Sequence, residues 1–171
     1  MTIHKILYLP HDCLRKVAKS VEHFDDKLQT LIDDMFETMY AAHGVGLAAP
    51  QIGVSLQVAV VDVKGDKTEQ IVLINPQIID TQGQTTYEEG CLSIPGVYDK
   101  VTRPQKVKIK ALDRTGKSFE IEGEGLLAEC FEHEIDHLNG KLFIDRLSPL
   151  KRTVARRKLE KFKRQLDREQ P

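Results

Sequence analysis

The chain has 171 residues, 40% of them apolar and 30% charged, with a formal net charge of −1. That length suits one domain with a real core, and the lack of any long uncharged apolar run speaks against a membrane span. The first ten residues lack the apolar stretch and cleavage site of a signal peptide, and three cysteines make a poor disulfide framework, so a cytoplasmic protein with reduced thiols is expected.

Taken in order, residues 11–20 read as a short helix after Pro10, with Cys13 a small half-buried residue without chemistry. Residues 25–42 read as a longer helix: Leu28, Leu31, Ile32, Met35, Met39 and Tyr40 recur at helical spacing. Asp25 and Asp26 crowd its first turn, where negative charge is favoured, and His43-Gly44 ends it. The stretch 44–53 holds three glycines, two alanines and a proline, and suits neither helix nor strand. No Lys-Ser/Thr follows and no strand–loop–helix context surrounds it, which argues against a phosphate loop. It reads as a loop lining a cleft, with Gln51 its one long polar group.

Residues 56–63 and 71–76 are rich in branched side chains and read as strands around a turn at 64–67. Residues 78–80 and 85–89 read as another hairpin around Gln82-Gly83-Gln84, after which 90–96 breaks the pattern. Residues 107–112 alternate, Asp113–Gly116 turn, and 119–122 return. Strands that precede a helix without β-α-β alternation indicate an α+β fold with antiparallel sheets. One domain over residues 1–171 is expected, with its sheets packed around a central metal-binding helix.

That helix carries His133-Glu134-Ile135-Asp136-His137. Two histidines four apart share a helix face, so both rings can reach one ion. Glu134 lies about 100° round from His133, beside such an ion rather than on it, where a carboxylate can take a proton from bound water. Asn139-Gly140 stops the helix.

Ser148-Pro149 then opens a C-terminal amphipathic helix at about 149–168. Ala155, Leu159, Phe162 and Leu166 form a narrow apolar stripe on it. From Lys151 onward there are nine Lys/Arg against three Asp/Glu. The stripe suits docking on the body, and the basic face suits either plain solvation or a polyanion such as RNA.

Two histidines leave a catalytic ion short of its usual three protein ligands and one open position. Cys, Asp or Glu can complete the set. Cys130 is near the same helix face, but three ligands over two turns of one helix converge poorly. Cys91, at a break after a strand, is the better third ligand, which leaves Cys130 as a core or pocket-wall residue. A thiolate with two imidazoles suits ferrous iron, cobalt, nickel and zinc alike. Carbonyl hydrolysis also needs donors for the developing oxyanion, and the Gln51 amide and Leu92 N–H are candidates.

Three stretches together carry a resemblance. Gly44-Val45-Gly46-Leu47-Ala48-Ala49-Pro50-Gln51, Glu89-Gly90-Cys91-Leu92-Ser93 and His133-Glu134-Ile135-Asp136-His137 resemble the signature motifs of peptide deformylases, in the right order and along nearly the whole chain. The resemblance implies removal of the N-terminal formyl group from formyl-methionyl nascent chains. It implies Cys91, His133 and His137 as ligands of an ion that is usually Fe2+, with Zn2+, Ni2+ or Co2+ able to replace it, and Glu134 as general base and then proton donor. It further implies that Gln51 and Leu92 hold the oxyanion and that substrate backbone pairs with Val45, Gly46 and Gly90. The methionine side chain would enter a pocket near Val45, Leu126, Cys130 and His133. A monomer is expected, with ribosome contact through the basic helix an open reading. Glu129, Glu132 and Tyr98 depart from the family pattern and bear on pocket polarity and on the preference for later residues. Two other readings are a zinc endopeptidase and a ribosome- or RNA-binding protein with a structural metal.

Overall fold

The structure, a computed structural model, describes residues 2–169. Helix α1 (Asp26–Ala41) begins where the Asp25 carboxylate accepts from the Leu28 N–H at 3.0 Å. The strands are β1 (Gly46–Ala48), β2 (Val58–Val61), β3 (Ile71–Gln82), β4 (Thr85–Cys91), β5 (Ile94–Arg103), β6 (Lys106–Leu112) and β7 (Ser118–Glu124). They are followed by α2 (Leu126–Leu138) and α3 (Pro149–Glu169).

Five strands form one antiparallel sheet in the order β1-β2-β3-β6-β7, and β4 pairs only with β5 in a separate hairpin. Alternation along β2 divides the core. Val58 and Val60 face α1, where they meet Leu28, Ile32, Met35 and Met39. Ala59 and Val61 face α2, where Ala128, Phe131, Ile135 and Leu138 cover the sheet. At Gly123 of β7 helix α2 comes close: an added Cβ would meet the Phe131 ring at 2.9 Å. One stripe of α2 is therefore spent on the sheet, and its other side faces the β4–β5 hairpin. The α+β architecture around a central helix matches the expectation from sequence.

A third cluster fastens the hairpin to the tail. Ile94, Val97 and Val101 of β5 pack with Leu142, Phe143, Ile144 and Leu147 and with Ala155 and Leu159 of α3. The Ser148 hydroxyl accepts from the Lys151 N–H at 3.3 Å, as a cap should. Phe162 and Leu166 of the apolar stripe are half-buried.

Two local readings need correction. The expected helix at 11–20 is a single 3-10 turn, Asp12–Arg15. Beyond it the chain is drawn into extended backbone, because the Ala18 N–H bonds the Leu138 carbonyl and Lys19 bridges Leu56. The expected hairpin between 78–80 and 85–89 does not form. Strand β3 runs on through Asn75 (φ +50°) and irregular register to Gln82, paired with β6, and Gly83 (φ +67°) turns the chain into the other sheet. The glycine-rich stretch is more regular than expected: it supplies β1 and the 3-10 turn Ala49–Ile52.

Candidate metal centre

Cys91 closes β4 and pairs with Ile94 across the two-residue turn Leu92-Ser93. This tight turn carries the thiol to α2. Its Sγ lies 3.3 Å from His137 Nε2, which is 3.2 Å from His133 Nε2, and the three donor atoms all fall within 4.8 Å of one another. Metal bonds of about 2.0–2.3 Å at a tetrahedral angle set neighbouring donors roughly 3.3–3.5 Å apart, so one sulfur and two nitrogens at these spacings fit one ion. Cys130 stands apart from this trio. It is buried on the cleft wall, and burial pushes its thiol up, so it stays protonated.

The electrostatics also suit a cation. Burial opposes a charge on the His133 ring, yet Cys91 and Glu89 outweigh it and hold its pKa well above the ordinary value. His137 goes the other way: burial, with His133 and Arg103 adding, holds it well below, as a neutral ring. A neutral imidazole is the form that binds metal.

Glu134 is 4% exposed and its Oε1 has no hydrogen-bond partner. A Cβ on Gly46 would run into its Oε2, so glycine at 46 leaves room for the carboxyl against the β1 backbone. Burial pushes Glu134 up to about 7, against the pull of His133 and Arg103. Gln51 is oriented by its own loop: its Oε1 accepts from the Ala48 N–H at 2.9 Å. Its Nε2 donates to Ser93 Oγ at 3.1 Å and lies 3.8 Å from Cys91 Sγ.

Behind the donors runs a buried ionic relay that sequence reasoning missed. Glu89 Oε1 lies 2.9 Å from His133 Nδ1, and its carboxylate accepts two bonds from Arg103, at 2.5 and 2.9 Å. Arg103 also donates to Asp136, which accepts twice from Arg146. Burial works against the Glu89 charge, but His133 and Arg103 prevail and hold it below the usual carboxylate range. One signal was available: Glu89 precedes Cys91 by two on a strand and Asp136 follows His133 by three on a helix, spacings that bring side chains to one side.

The donors open onto a cleft of about 760 Å³. Val45, Gly46, Gly90, Leu92, Leu126, Cys130, His133 and Glu134 line it, and so do Glu129, Tyr98 and Phe162. Tyr98 is exposed at the mouth, its ring stacked where a Gly90 side chain would be. Glu132 is buried, with one carboxyl oxygen unpartnered, but does not line the cleft.

Comparison with known proteins shows the family. A model of the polypeptide deformylase family matches residues 3–153. The chain is 53% identical over 165 residues to a curated peptide deformylase of Chromobacterium violaceum, covering 96% of this chain and 99% of that one. A crystal structure of a peptide deformylase from Legionella pneumophila superposes with a TM-score of 0.96 at 67% identity, over 99% of this chain and 100% of that one. A peptide deformylase from Plasmodium falciparum gives 0.87 at 34% identity, over 98% and 99%.

Proposed function

The chain belongs to the polypeptide deformylase family, and on that premise we propose how its own residues carry out metal-dependent removal of the N-terminal formyl group from formyl-methionyl chains. Cys91, His133 and His137 hold one divalent ion, and Fe2+ is the ion proposed. When bound, the ion supplies Lewis acidity and makes water acidic enough to attack at neutral pH. Glu134 accepts a proton from water as oxygen bonds the formyl carbon. The Gln51 amide and the Leu92 N–H donate to the carbonyl oxygen as it gains charge. As the C–N bond breaks, Glu134 returns the proton to the amine nitrogen, which frees formate and a peptide amine. A carboxyl near pH 7 is suited to both transfers.

The substrate enters extended. Strand β1 is the outermost strand of its sheet and β4 has only β5 as neighbour, so each has an unpaired edge, and residues of both line the cleft. Val45, Gly46 and Gly90 pair with peptide backbone, a mode that gives affinity with little demand on side chains. The first side chain enters between Val45, Leu126, Cys130 and the His133 ring.

Residues 1–171 act as one catalytic unit and as a monomer in the cytoplasm. Among the described residues no helix is long and apolar enough to cross a membrane, and Cys13, Cys91 and Cys130 are free. Helix α3 buries only Ala155 and Leu159 fully, which leaves its basic face for ribosome contact.

The observation that carries this reading is the Cys91–His133–His137 triangle beside an unpartnered Glu134 carboxyl. The test is formate release from formyl-Met-Ala-Ser by anaerobically purified protein, with metal analysis. One ion per chain and release abolished by Glu134→Gln, with the ion retained, is the expected result. Full turnover by Glu134→Gln would overturn it.

A further inference from the structure

Resting on the function just given, we propose that Glu129 tunes the first-side-chain pocket, raising its acceptance of a side chain that ends in a hydrogen-bonding group relative to a hydrocarbon of equal length. Glu129 stands one turn before His133 on α2 and lines the cleft beside Leu126 and Cys130. It is 8% exposed, so the body of the side chain is enclosed. Leu126, which lines the same wall, is apolar. Cys130 is a buried thiol, and the Glu89 carboxylate is taken up by Arg103 and His133. Among the described residues the Glu129 carboxyl has no hydrogen-bond partner, and its oxygens are not among the buried unpartnered atoms. The space left to solvate it is the cleft.

An occupant of the pocket removes that water. A purely hydrocarbon side chain then leaves a carboxyl with nothing to bond, which weakens its binding by about tenfold. A terminal amide avoids this whichever form the carboxyl takes: its N–H donates to a carboxylate, and its oxygen accepts from a carboxylic acid. Methionine falls between, because a thioether sulfur is a weak acceptor. An apolar residue at 129 would remove the distinction.

The test uses three formylated tripeptides that differ only in the first residue: methionine, norleucine and glutamine, side chains of similar length. In the wild-type holoenzyme the glutamine-to-norleucine ratio of kcat/KM should exceed that of Glu129→Leu by about tenfold, the penalty above expressed as a rate ratio. Glu129→Gln, which keeps shape and hydrogen bonding, should stay within about threefold of wild type. A ratio unchanged in Glu129→Leu overturns the proposal. Calorimetric Kd values for uncleavable hydroxamates bearing the same side chains give the same ratio without turnover. Absent formate release would therefore overturn the catalytic reading alone, while equal Kd ratios in wild type and Glu129→Leu would overturn this one.

Discussion

Glu89 Oε1 and His133 Nδ1 are 2.9 Å apart, and the Glu89 carboxylate is itself clamped by Arg103. A carboxylate on the far nitrogen fixes which nitrogen of the ring faces the ion and makes it a better donor. Glu89→Gln should therefore weaken metal binding about 10–100-fold. Competition with a chelator of known affinity measures this, and an unchanged Kd would show that His133 is oriented without help.

Arg103 is almost wholly buried between Glu89 and Asp136. Removing one member of a buried charge cluster strands the others, so Arg103→Met should cost about 3–5 kcal/mol. Urea unfolding midpoints at constant m-value give the number. The loss should shrink in a variant that also removes Glu89, because the stranded charge goes with it.

Cysteine substitutions separate the third ligand from the pocket wall. Cys91→Ala should lose the ion, and Cys130→Ala should retain it. Metal analysis of the two purified variants decides the matter, and the opposite pattern would reverse the assignment made here.

Gly46→Ala places a methyl group where the Glu134 carboxyl now rests. The carboxyl must move, and displacement of a reacting group by about 1 Å can cost 10²-fold in rate. The expected outcome is a fall in kcat of that order with the ion and the fold retained, read by formate release and circular dichroism.

Stability should respond to acid through Asp62. Burial disfavours its charge, but the Tyr40 hydroxyl and the N–H groups of Gly65 and Lys67 more than offset this and lower its pKa in the folded chain. A lowered folded pKa means that the contribution is fully present above the unfolded value, about 3.9, and is lost as pH falls through the folded one. The gap in urea midpoint between wild type and Asp62→Ala should therefore be constant near neutrality and narrow below about pH 4.

How much of this could be read beforehand follows from the range of the interactions involved. The α2 face and the Cys91 break were legible because His133, Glu134 and His137 lie within one turn and strand ends leave local marks. The stripe Ala155–Leu159 was legible for the same reason. The β4–β5 pairing was not. Nothing local in 78–89 shows that Gln82 continues along β6 while Thr85 pairs with Arg103. The helix expected at 11–20 failed because Leu138 and Leu56 recruit its backbone from far along the chain. Arg103 was invisible as a relay member because an arginine between strands normally reads as solvated surface, and only the fold encloses it.

The β4–β5 hairpin shares no ladder with the five-stranded sheet. Near its tip Cys91 meets His133 and His137 of α2, donors placed to share a cation, and further along the Glu89–Arg103–Asp136 relay also ties the hairpin to α2. Chelation would therefore take away one of the links that hold the turn, and the amides near Leu92-Ser93 should then exchange with deuterium sooner than those of β2. An ion held there would be reagent and rivet at once, so metal scarcity would loosen the molecule at the very spot where it works.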